Sequence, residues 1–154
     1  MRQSAPVPSV HRAISQLQRL SELFGRRRTQ LAQRAGLTEQ QWHVLEEIAT
    51  EHFMPSLFAR GRQQAPAAVS RVIRQLLAKK LVSVSVAAHD GRQREYVLTA
   101  KGKRLLDALR GHRKQAVDAI WMDLDPKALD SFTRFSAELI TRLETYAARA
   151  GSPE

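Results

Sequence analysis

Apolar residues recur at helical spacing early in the chain. After a short proline-containing leader, Val10, Ile14, Leu17, Leu20 and Phe24 fall on one face. The pattern predicts a helix from about residue 10, through Arg26-Arg27-Arg28, to about Ala35, with Gly36 as its stop. Thr38 then offers an N-cap, and Gln41, three residues later, completes a capping box. Leu37 and Trp42 stand at the two positions of a hydrophobic staple, and Trp42, Leu45, Ile48 and Ala49 make one apolar face. A short helix is expected around Pro55–Arg60, then a turn at Gly61–Ala65. Pro66 suits the first turn of a new helix, along which Val69, Ile73, Leu76 and Leu77 form a buried stripe. Ala67, Ala68, Ser70, Arg71, Arg74 and Gln75 fall on its other faces, which are small, polar and basic.

From Leu81 the period changes. Val82, Val84 and Val86 alternate with Ser83 and Ser85, a strand spacing, and a second strand is expected over Arg94–Thr99. Asp90-Gly91 between them is a hairpin signal. Thr99 caps a helix through Leu105, Leu109, Ala116 and Ile120. Asp125 caps a last helix with Pro126 at its first position, and Leu124 and Leu129 are placed for a second staple. Its stripe is Leu129, Phe132, Phe135, Leu139, Leu143 and Tyr146.

The order is helix, helix, short helix, helix, hairpin, helix, helix. The expected class is mainly α with a small β-hairpin (α+β): a winged helix-turn-helix flanked by N- and C-terminal helices. Within a single domain of residues 1–154, residues 38–104 form the winged part, and 10–35 and 105–147 the flanking helices. Their apolar stripes are hard for a chain this small to bury alone. An intertwined helical homodimer would bury them.

Charge sharpens this picture. The 154 residues carry a formal net charge of +10. Residues 60–104 hold eleven Lys and Arg against Asp90 and Glu95, so the winged segment alone nearly matches the charge of the whole chain. That points to a polyanion at this segment. There is no cysteine, which excludes disulfides, thiolate metal sites, cysteine nucleophiles and a cysteine redox switch. His11, His43, His52, His89 and His112 lack metal-ligand spacing. No Gly-rich phosphate loop, Gly-x-Ser-x-Gly elbow or His–carboxylate cluster suggests an enzyme, and no cofactor is implied. No apolar run reaches membrane-spanning length and the N-terminus lacks a signal-peptide core, so a cytoplasmic protein is expected.

An ordered series of short motifs resembles the multiple-antibiotic-resistance regulator (MarR) family from about residue 10 to 147. It comprises Leu37-Thr38-x-x-Gln41-Trp42, Val69-Ser70-Arg71 with Leu76, Lys80-Leu81-Val82, Asp90-Gly91-Arg92 and Leu98-Thr99-Ala100-Lys101-Gly102. The resemblance implies a homodimeric transcriptional regulator, by default a repressor of nearby genes, that places the 66–79 helix in the major groove of double-stranded DNA. The residues offered to DNA are Gln64, Pro66, Ala67, Ala68, Ser70, Arg71 and Arg74. Arg can pair bidentately with guanine, and the small alanines permit close approach. The resemblance also implies that Arg92 of the hairpin tip enters the minor groove, oriented by Asp90, with Arg94 beside it. A solvated basic face and a plain Asp-Gly turn are the alternative readings of these two features. Lys101, Lys103 and Arg104 fit either phosphate contacts or solvated surface. Where the family has apolar residues before the recognition helix, positions 61–64 read Gly-Arg-Gln-Gln.

A dimer presents two such helices roughly one DNA turn apart, which implies an imperfect palindrome as operator. Family members bind small, often aromatic or phenolic, ligands between the dimerisation and DNA-binding parts. Phe24, Arg28, Trp42 and His43 are the candidates here, with core packing as the favoured reading of Phe24 and Trp42. The rival functions are a winged helix that binds a protein and a non-specific DNA-binding protein without a ligand.

Overall fold

The structure is a computed structural model, and it describes residues 7–50, 53–86 and 94–150. Its elements are α1 (Val7–Arg34), α2 (Glu39–Ile48), α3 (Pro55–Gly61), α4 (Pro66–Ala78), β1 (Val82–Val86), β2 (Arg94–Leu98), α5 (Ala100–Trp121) and α6 (Pro126–Ala150). This is the expected order: mainly helical, with one antiparallel hairpin after α4. The chain gathers into two compact units, Met1–His112 and Arg113–Glu154, dividing within α5.

The local signals act as read. Thr38 Oγ1 accepts the Gln41 N–H at 3.1 Å and Gln41 Oε1 accepts the Thr38 N–H at 3.1 Å, a complete capping box. Thr99 Oγ1 accepts the Gly102 N–H at 3.0 Å, and Asp125 Oδ1 accepts the Lys127 N–H at 3.1 Å. Flanking bounds shift outward, α1 beginning at Val7 and α6 running to Ala150.

The first unit holds the core. Leu31, Leu37, Trp42, Val44, Leu45, Ile48, Phe58, Val69, Val72, Ile73, Leu76, Leu81, Val82, Leu106 and Leu109 are buried in one cluster. α4 buries Val69, Val72, Ile73 and Leu76, so Val72 takes the place the spacing gave to Leu77, which is only half-buried. The hairpin pairs Val82 with Leu98 and Val84 with Tyr96. Val82 is buried but Val84 is exposed, so only the base of the valine face reaches the core. Tyr96 meets Phe53 edge-on, with ring centroids 6.1 Å apart, and Phe53 meets Phe58 at 5.9 Å. These rings join the hairpin to the α3 region.

The turn before α4 ends α3 by a device that its sequence does not advertise. Gln63 N–H donates to Arg60 O and Gln64 N–H to Ala59 O, the paired bonds of a Schellman stop. The left-handed residue is Gln63, at φ 52°, whereas Gly61 lies inside the helix. The same stop ends α1, with Gly36 at φ 67°. A left-handed non-glycine residue costs about 1–2 kcal/mol, partly offset by the entropy glycine loses on folding. Gln63→Gly is therefore expected to stabilise the protein by about 0.5–1 kcal/mol, read as a raised urea midpoint at unchanged slope. A lowered midpoint would mean that the Gln63 side chain contributes more than its backbone costs.

Candidate nucleic-acid interface

α4 separates its two faces sharply. One buries the four apolar residues named above. The other carries Pro66, Ala67, Ser70, Arg71 and Arg74, all exposed, with Ala68 half-buried at the margin. The helix has no acidic residue. Arg71 and Arg74 make no ion pair among the described residues. A small-residue first turn followed by two uncompensated guanidinium groups can approach an anionic surface closely and pair with it. Gln64 is half-buried just before the helix and accepts a bond from Gln40 Nε2 at 3.3 Å. Arg94 is exposed at the start of β2. Asp90 and Arg92, with the whole expected wing tip, lie outside the described residues.

The four ligand candidates separate. Trp42 is 4% exposed and belongs to the core cluster. Phe24 is 46% exposed on α1 and outside that cluster. Arg28 pairs with Glu39 at 3.6 Å, and Thr29 hydrogen-bonds the same carboxylate, linking α1 to the start of α2. His43 is half-buried near that group. Desolvation by burial lowers its pKa below the ordinary 6.5, helped by Arg62 and opposed by Glu46 and Glu39.

Two clefts in the first unit lie elsewhere. One, of about 600 Å³, has walls from the end of α1, the start of α2 and the Ala68–Arg71–Gln75 face of α4. The other, of about 460 Å³, has Leu37, Leu81 and Leu105 in its lining and the cations Lys79, Lys101 and Arg104 around them. Neither is lined by Phe24, Arg28, Trp42 or His43. Residue spacing shows periodic faces; clefts between elements far apart in the chain leave no such trace.

Comparison with known proteins shows what this arrangement is similar to. A MarR family transcription regulator superposes with a TM-score of 0.78 at 17% identity, over 92% of this chain and 94% of that one. The chain has the MarR-family fold. MepR, the Staphylococcus aureus regulator of the multidrug efflux pump MepA, superposes with a TM-score of 0.66 at 19% identity, covering 90% of this chain and 99% of MepR. The S. aureus MepR–DNA complex gives a TM-score of 0.65 at 19% identity, covering 82% of this chain and 93% of that one. No protein-family model matches the chain, and no curated protein matches its sequence.

The MarR-family fold gives the motif residues physical jobs. Thr99 Oγ1 donates to Lys80 O at 2.8 Å while capping α5, and Thr99 N–H donates to Leu81 O at 3.0 Å. Lys101 Nζ donates to Lys79 O at 3.0 Å, and Lys79 Nζ in turn to Gly36 O. The junction of α1, α4 and α5 is thus closed by side chains on carbonyls. Lys101 is thereby occupied structurally, a role that its sequence context, which offered a phosphate contact or solvated surface, did not single out. No helix among the described residues is long and apolar enough to cross a membrane.

Proposed function

We propose that this chain is a homodimeric, sequence-specific, cytoplasmic DNA-binding transcriptional regulator, a repressor of nearby genes that reads an imperfect palindrome with α4 and the hairpin. The observation that carries the reading is the outer face of α4: exposed small residues and two uncompensated arginines, backed by a buried apolar stripe, on a fold shared with a protein solved bound to DNA. Arg71 and Arg74 pair with base edges or phosphates, Ser70 with phosphates, and Gln64, Pro66, Ala67 and Ala68 bring the helix start close to the duplex. Arg92, oriented by Asp90, enters the minor groove, and Arg94 meets the backbone beside it. A small aromatic or phenolic ligand that binds best to a dimer spacing unsuited to DNA lowers DNA affinity by that preference.

Footprinting the purified protein on its own upstream region tests the reading. Protection of a palindrome is expected; salt-labile coating of every sequence, or no binding, overturns it. Arg92→Ala is expected to weaken operator binding by more than tenfold (~1.4 kcal/mol) at fixed salt. Unchanged affinity in that titration removes the hairpin from the interface.

A further inference from the structure

We infer that two adjacent glutamines of α2, Gln40 and Gln41, act as a clasp that fixes the rotation of α4 about its own axis, making them positioning residues for sequence reading. The inference rests on the DNA-binding reading above.

Gln41 is the only buried polar residue among the described ones, at 5% exposure. Both polar atoms of its amide are engaged. Oε1 accepts the Thr38 N–H within the capping box, and Nε2 donates to Gln75 Oε1 at 2.9 Å. Gln75 lies on the outer half of α4, four residues after Arg71 and seven after Ala68, so the three share a face. Gln40 makes the second tie, to Gln64 just before α4 begins. One helical turn of α2 therefore grips α4 before its first turn and again in its third.

The apolar stripe of α4 cannot do this alone. Dispersion contacts are non-directional, and a small rotation trades one contact for another. A hydrogen bond weakens steeply with angle. On a helix about 10 Å across, a rotation of roughly 20° moves a side-chain tip by about 2 Å. Bidentate pairing of Arg71 with a base edge does not survive that shift, whereas phosphate attraction does. The clasp thus acts on specificity and leaves general DNA affinity alone.

The test uses the full-length protein and two duplex probes: the sequence that wild type enriches from a randomised pool, and the unselected pool. Gln75→Met keeps the side-chain length, leaves the capping box intact and sits on an exposed position. It is expected to cut the ratio of the two affinities by about three- to tenfold, the worth of one net hydrogen bond, with pool binding unchanged and the thermal midpoint lowered, because the buried Gln41 donor loses its partner. Gln41→Met, buried beyond reach of DNA, is expected to cut the ratio by the same factor, and the double variant no further. Thr38→Ala removes the cap but keeps the tie, so it lowers the midpoint and leaves the ratio alone. An unchanged ratio in Gln75→Met overturns the clasp. So does a loss in Gln75→Met that Gln41→Met does not share, which makes Gln75 a direct base contact. If wild type enriches no sequence, the regulator reading itself fails.

Discussion

Gly102→Ala is expected to destabilise the protein by about 2 kcal/mol or more. A Cβ at this position would stand 2.1 Å from Leu81 O and 3.0 Å from Leu81 C, both backbone atoms. That carbonyl has little room to move. It accepts the Thr99 N–H at 3.0 Å, its residue is buried, and Thr99 is tied in turn to Lys80 O and Gly102 N. Relief requires α5 to lift away from the start of β1, breaking the side-chain bonds that close the junction. Alanine's helix propensity returns only about 1 kcal/mol. Chemical denaturation checks the sign, with Gly111→Ala as the comparison. Gly111 lies in the same helix with nothing within 4 Å of the added Cβ. There the propensity acts alone and a gain of up to about 1 kcal/mol is expected. Equal shifts in the two variants would mean that the close approach at Gly102 is not a constraint.

The contrast between these glycines marks what the sequence could disclose. Gly102 stands in the Leu98–Gly102 motif, so its importance was legible, but the carbonyl it touches is 21 positions earlier. Much of the chemistry that acts within a turn was legible: the Thr38–Gln41 box, the caps at Thr99 and Asp125, and Pro66 and Pro126 at helix starts. Each depends on residues no more than three apart. The Gln41–Gln75 bond joins residues 34 apart, and nothing in a helical period singles out Gln75 from other polar positions. The end of α3 was obscured differently. Gly61 suggested where the turn begins, yet it lies inside α3 and the left-handed residue is Gln63. Period-two valines marked a strand but not how far it is buried: Val82 is buried and Val84 exposed, because a two-stranded hairpin covers only its base. For the candidate interface, the basic face of α4 was legible because an amphipathic helix writes both faces into its spacing.

If the chain is the homodimeric regulator proposed above, Phe135→Glu is expected to leave it monomeric and to weaken operator binding by about 100-fold or more. α6 is 25 residues long and buries none of them. Phe135 is 56% exposed and Tyr146 74%, with Phe132, Ile140 and Leu143 also open. An apolar stripe of this length facing water is not stable by itself, and a helix of such composition calls for a covering surface. A second copy supplies one without any further partner. Across a twofold axis one substitution counts twice, so losing a buried Phe costs roughly 3–6 kcal/mol of association before the burial of carboxylate is added. Because a monomer engages one half-site, operator affinity falls with the dimer while contact with random DNA persists. Sedimentation at micromolar concentration reads the mass directly. Arg142→Ala, on an exposed i,i+4 pair with Glu138, is the control and leaves the mass unchanged. A Phe135→Glu protein that still sediments as a dimer, or a wild type that sediments as a monomer, would show that α6 is covered by something other than a second copy. The operator would then have no reason to be a palindrome.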